Sequence, residues 1–315
     1  MIETQRALKT SLTLADMGSF FIEGQRKHVE HTAIPHIGPQ TINDGAMYVR
    51  YMIPAERKFD LPIVLVHGGT HTGMTWETTP DGHEGWDTML VAAGFVVYNI
   101  DQPYRGHSGF NGGIFNAVRE GAVSVESLPP LGVGGEELAH KFARGGNRFP
   151  FDHLTQYVAQ LVPDFYTPIA VSRGRPGECD PRVLKAMQAL LERIGPAILL
   201  THSQGGEVGW LTALQARDRV CAIAAVEPGV GCEVLDRADF PDIPVYVMWG
   251  DNLAPAGVLT RAQMEACKEL AAQRRNITVD YLPDAGIFGN GHMLMMEDNN
   301  RELLDRIIAW LRSVG

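Results

Sequence analysis

Seven short runs of apolar and β-branched residues recur between residues 47 and 282, and they restrict the fold more than anything else in the chain. They are Met47–Met52, Ile63–Val66, Phe95–Ile100, Ala197–Thr201, Ala222–Val226, Val245–Trp249 and Thr278–Leu282, separated mostly by helix-like stretches. A strand buried on both faces reads as an unbroken apolar run, so the pattern predicts an α/β fold with a mostly parallel central sheet and helices on both faces. A leading strand is expected at Gly18–Glu23, followed by a polar connection, and a closing helix from about Asn300 to Ser313. Several runs end in loops containing Gly, Asp or His, at the strand ends where such sheets bind their ligands.

The alternation breaks between Ser108 and Pro196, where Pro, Gly and charged residues mingle with helical pieces such as Glu136–Arg144 and Pro181–Ile194. This reads as a helical cap inserted at about 109–196 into a single domain spanning 1–315, because no repeat or Gly/Ser linker marks a second domain. A chain of 315 residues with 45% hydrophobic content can bury a core of that size.

Charge and pattern exclude several functions. A formal net charge of −10 offers no basic footprint for nucleic acid. The apolar runs fall far short of the roughly 20 residues needed to span a bilayer. The N-terminus scatters Lys9, Asp16 and Glu23 without a secretory-type apolar stretch, so with Met1 as the native start the expected compartment is the cytoplasm. Cys179, Cys221, Cys232 and Cys267 form no C-x-x-C pair and read as ordinary thiols. His28, His31 and His36 cluster, but at no spacing typical of metal ligands; neither a metal nor a cofactor is expected.

The segment Ala197–Gly206 runs a buried strand into a tight turn and then a helix, with Ser203 at the turn. This has the form of a nucleophile elbow, in which small residues flank a serine held in a strained conformation; Thr201 stands where the G-x-S-x-G pattern has its first glycine. A serine hydroxyl needs a base, an acid to orient the base, and donors for an oxyanion. His292, in the loop between the last strand and the final helix, is the base candidate. The turn His67-Gly-Gly-Thr70 supplies the Gly69 amide, favoured over Gly68, and the Gln204 amide follows the serine. Two carboxylates end strands between Ser203 and His292, namely Glu227 and Asp251, and chain order permits either as the acid.

Taken together, His67-Gly-Gly, the segment Asn99–Ser108, Thr201-His-Ser-Gln-Gly205, Val226-Glu-Pro-Gly229 and Gly291-His-Met293 resemble the α/β-hydrolase superfamily, and within it the bacterial esterase 713 type. The likeness includes Thr72–Gly82 and Gly85-Trp86, and covers most of the chain from about residue 60. It implies a triad of Ser203, Glu227 and His292, oxyanion amides at Gly69 and Gln204, and a homodimer. It also implies Glu227 over Asp251. The family has adjacent cysteines where this chain has Gly69-Thr70, a loss that fits a reducing compartment.

The expected activity is hydrolysis of a small-molecule carboxylic ester through an acyl-enzyme. Lactone hydrolysis uses the same triad, and a non-catalytic ligand receptor is the rival from another class. His71, Trp76, Tyr104, Phe165, Tyr166 and Met293 are candidate pocket residues, with core packing as the alternative for the aromatics.

Overall fold

Along the strand Ile63–Val66, successive side chains enter opposite cores: Ile63 and Leu65 pack on one face of the sheet, Val64 and Val66 on the other. All four are fully buried, which is why the run carries no polar alternation. The computed structural model describes residues 11–30, 35–110, 112–128, 135–143, 148–162, 181–229, 232–255 and 259–314.

Ten strands are present among these residues, β1 (Leu14–Ile22), β2 (Gln25–Val29), β3 (Gln40–Asp44), β4 (Met47–Pro54), β5 (Ile63–Val66), β6 (Val97–Asp101), β7 (Ala197–His202), β8 (Val220–Val226), β9 (Val245–Trp249) and β10 (Ile277–Tyr281). Eight of them form one sheet in the order β1-β4-β6-β5-β7-β8-β9-β10. Pairing is antiparallel for β1 with β4 and β4 with β6, and parallel from β6 onward. The predicted α/β class and all seven internal strands are therefore present. The polar connection after β1 holds an antiparallel pair, β2 with β3, whose residues are mostly exposed and so leave no apolar period to read.

The helices are α1 (Trp86–Ala93), α2 (Gly113–Arg119), α3 (Glu136–Ala143), α4 (Leu154–Val158), α5 (Pro181–Ile194), α6 (Gln204–Gln215), α7 (Arg261–Gln273) and α8 (Asn300–Val314). Helix α8 buries Leu303, Leu304, Ile307, Ile308 and Leu311, the i, i+4 stripe of a surface helix, against the face that α1 also covers. Helix α7 starts at a capping box in which the Thr260 hydroxyl accepts from the Gln263 amide and the Gln263 side chain accepts from the Thr260 amide. Helices α5, α6 and α7 cover the other face. Helix α5 falls within the 109–196 span read as an insertion, yet packs its apolar side on the sheet with Val64 and Leu199. From α3 and α4, Ala139, Leu154 and Tyr157 join the opposite core cluster. Among the described residues no helix is long and apolar enough to cross a membrane.

Candidate active site

Strand register gathers the chemistry at one edge. Val66 pairs with Thr201, His202 with Val226, and Val226 with Met248, so β5, β7, β8 and β9 end nearly level. The residues that follow three of them are His67, Ser203 and Glu227. Parallel strands put all these carboxyl ends on the same side, which makes distant parts of the sequence neighbours.

Ser203 caps α6 with φ 54° and ψ −124°, a conformation rare for any residue with a side chain. Its backbone is tied on both sides. Its N–H donates to Val226 O at 3.1 Å, and its carbonyl accepts from Gly206 N at 2.9 Å and Gly229 N at 2.8 Å. A Cβ at Gly205 would lie 2.6 Å from both the Val66 and His67 carbonyl oxygens, so only glycine lets the elbow approach the neighbouring turn. Thr201, in the place of the pattern's first glycine, is accommodated across the helix, where a Cβ at Gly209 would lie 2.9 Å from its Cγ2. The small residue that the sharp turn demands has been exchanged, strand side for helix side.

Glu227, also at positive φ (42°), points both carboxylate oxygens at defined donors. Oε1 accepts from Gly250 N at 3.0 Å and Oε2 from His292 Nδ1 at 2.7 Å, with both side chains at 1% exposure or less. A carboxylate accepts, so the imidazole proton is on Nδ1 and Nε2 is the basic nitrogen. Asp251 does something else: its two oxygens hold the Gly289 and Asn290 amides at 2.9 and 2.8 Å, bracing the turn that leads to His292. Of the two acids that chain order allowed, Glu227 is the one that touches the imidazole. His202 lies with its ring 4.4 Å from that of His292 and donates from Nε2 to the His292 carbonyl at 2.9 Å.

The turn after β5 is organised by two buried histidines. His67 Nδ1 donates to Gly68 O at 2.8 Å, and its Nε2 accepts from Gln102 N at 3.0 Å. In a trans peptide the N–H opposes the carbonyl, so this bond aims the Gly69 N–H away from the His67 ring. Burial pushes His67 down to about 4 against the opposing pull of Asp101 and the Gly68 bond, so the ring is neutral and its tautomer is set by these bonds. His71 is likewise pushed to about 4 by burial; it donates from Nδ1 to Gly69 O at 2.7 Å and accepts from the Tyr157 hydroxyl at 2.7 Å. Gln102 Nε2 donates to His67 O at 2.8 Å and reaches Gln204 Oε1 at 3.5 Å, and a Cβ built on Gly69 would lie 3.6 Å from that of Gln204. Gly69 and Gln204 thus lie side by side.

No family model matches the chain. A solved structure titled as that of a novel bacterial esterase, at atomic resolution, is 32% identical and superposes with a TM-score of 0.84, over 98% of this chain and 99% of its own. The chain belongs to the α/β-hydrolase-fold esterases. A curated fungal relative (strain ATCC 74256), named probable secreted lipase phiG, is 28% identical to this esterase over 97% of this chain and 96% of its own length.

Two expectations are corrected. Cys232 and Cys267 form a disulfide with a Cα–Cα distance of 5.4 Å, joining the turn after β8 to α7 across 35 positions that no local motif marks. That bond, with the secreted relative, overturns the cytoplasmic assignment, because such bonds persist in oxidising compartments. The adjacent cysteines absent at Gly69-Thr70 therefore say nothing about a reducing environment.

The pocket candidates are differently placed. Trp76 and Met293 are fully buried in the core, His71 braces the Gly69 turn, and the Tyr104 hydroxyl accepts from Arg182 at 3.1 Å. Phe165, Tyr166 and Cys179 lie outside the described residues. Gln102, which meets His67, and Tyr157, which meets His71, were not singled out from the sequence. Only the strand-end position of Gln102 could have drawn attention to it.

Proposed function

We propose that this protein is a serine carboxylic ester hydrolase acting on small-molecule esters through a covalent acyl-enzyme. His292 Nε2 takes the Ser203 hydroxyl proton as Oγ bonds to the ester carbonyl carbon, and the carbonyl oxygen gains the negative charge. The Gly69 and Gln204 amides receive that oxyanion; losing one such donor costs about 2.7 to 4 kcal/mol in comparable sites. Collapse breaks the carbon–oxygen bond to the alcohol, whose oxygen takes the proton from His292. Water then repeats the sequence on the acyl-enzyme and releases the acid. Glu227 stays ionised, fixes the imidazole tautomer and stabilises the imidazolium. The insertion bearing α2, α3 and α4 is the cap over the site.

The observation that carries this reading is the buried Glu227–His292 pair at 2.7 Å, beside a serine whose backbone is locked at positive φ. The test is labelling by a fluorophosphonate with the modified peptide mapped, for wild type, Ser203→Ala, Glu227→Ala and Asp251→Ala. Rapid labelling at Ser203 that is lost in Ser203→Ala and collapses in Glu227→Ala, with a smaller loss in Asp251→Ala, supports it. Absence of labelling in wild type refutes it and favours the receptor alternative. Turnover of cyclic against open-chain esters then separates lactonase from esterase.

A further inference from the structure

Glu297 follows the 3₁₀ turn Leu294–Met296, three residues before α8, and only 1% of it is exposed. Its Oε1 accepts from Gly291 N at 2.5 Å and its Oε2 from Asn290 Nδ2 at 2.6 Å. Carboxyl groups therefore hold every step of the turn leading to the base. Asp251 takes the amides of residues 289 and 290, Glu297 that of residue 291, and Glu227 the imidazole of residue 292. A group meeting two donors needs two acceptors, which a glutamate provides and a glutamine does not unless Asn290 turns its amide over.

Glu297 also lines a cavity of about 200 Å³. Its charged walls are already matched: Arg301 with Glu84 at 2.7 Å, His83 with Asp81 at 2.9 Å, and Asp298 with Arg148 at 2.8 Å. Glu297 is bonded to neutral groups alone, and behind it stand two further acids, Glu227 and Asp251. Burial foremost, then those two charges, push its carboxyl up to about 8 against the pull of its Asn290 and Gly291 bonds. Burial therefore favours the protonated form, and the two N–H donors favour the carboxylate. Asn290 Nδ2 also donates to Asn299 Oδ1 at 2.8 Å and its Oδ1 accepts from Asn299 Nδ2 at 3.4 Å, so a proton on Glu297 Oε2 is met by an acceptor when the two amides turn over together, which links protonation to their orientation.

We propose that Glu297 is a positioning residue for His292, carrying the Asn290–Gly291 turn, and that its protonation state, exchanged with solvent through the cavity, tunes the reactivity of Ser203. The inference rests on Ser203 and His292 being nucleophile and base. An ionised Glu297 accepts more strongly from Gly291 and adds negative charge on the side of the forming imidazolium, so reactivity rises as it loses its proton.

The experiment is the rate of Ser203 phosphonylation by a fluorophosphonate from pH 6 to 10 for wild type, Glu297→Gln and Glu297→Ala, with thermal melts as the folding control. Wild type is expected to show a severalfold rise centred near pH 8 beyond the limb set by His292. Glu297→Gln loses that rise while staying within about threefold of wild type below pH 7, and Glu297→Ala loses about tenfold or more throughout from a misplaced base. If Glu297→Ala fails to fold, the glutamine profile decides. A purely structural Glu297 would change the melts and leave the inflection in place, so superimposed wild-type and Glu297→Gln profiles between pH 7 and 9.5 overturn the inference. Wild type unlabelled at Ser203 instead overturns the assignment of nucleophile and base, and this inference with it.

Discussion

His71 makes the fold sensitive to acid, by an amount that follows from its surroundings. Free in the unfolded chain it titrates near the ordinary 6.5; folded, burial lowers it to about 4. Between those values the unfolded chain binds a proton that the native protein refuses, so falling pH favours unfolding. The contribution is fully present above pH 6.5 and is lost as pH drops toward 4. A difference of 2.5 between the two values, at 1.36 kcal/mol for each, amounts to about 3 kcal/mol. The perturbation that isolates it is His71→Gln, whose amide can donate to Gly69 O and accept from Tyr157 without titrating. Urea unfolding of both proteins at pH 7, 6, 5 and 4.5 gives two stability curves, and all other titrations common to both cancel in the difference. Wild type should lose ground to the variant by about 2 to 3 kcal/mol between pH 7 and 4.5. Curves parallel within about 0.5 kcal/mol would refute the claim that this imidazole is held neutral.

Glu297 should act with the opposite sign. Its folded value is raised from 4.5 to about 8, so it stabilises the native state most below pH 4.5 and progressively less up to 8. Denaturant titrations should therefore show Glu297→Gln gaining on wild type by about 5 kcal/mol as an upper bound across that range. Gly205→Ala forces a methyl group within 2.6 Å of two carbonyl oxygens, and should abolish fluorophosphonate labelling even where circular dichroism reports a folded chain. The paired change Cys232→Ser, Cys267→Ser releases a 35-residue loop and should lower urea stability by about 4 kcal/mol, with reduction of wild type reproducing the loss.

What the sequence displayed and what it concealed divide along physical lines. The inner strands were legible because burial on both faces erases polar alternation, as in Ile63–Val66 and Ala197–Leu200. The β2–β3 pair was not, since strands such as Gln25–Val29 with no buried face leave no pattern. Ser203 and His292 stood out through local turn chemistry and chain order. Chain order alone left Glu227 and Asp251 open and the family resemblance favoured Glu227; the two acids follow adjacent strands and differ in the donors they meet, which only the folded contacts display. Cys232 and Cys267 come together through the packing of α7 against the turn after β8, a tertiary relation invisible in spacing. Glu297 was hidden for a similar reason: a charged residue just before a helix reads as surface until the fold closes over it.

Among the described residues six without the freedom of glycine adopt positive φ, and Thr70, Tyr104, Ser203 and Glu227 follow in turn the ends of β5, β6, β7 and β8. Each costs about 1 kcal/mol or more, against a net stability of about 5 to 15 kcal/mol for a typical domain. Directed evolution for heat resistance alone would find its easiest gains by placing glycine at these four positions. Those gains would release Ser203, the proposed nucleophile, and Glu227, the carboxylate proposed to orient its base. Thermostable variants of this scaffold therefore have to be selected for turnover and melting temperature together, with improvements sought at the far end of the sheet.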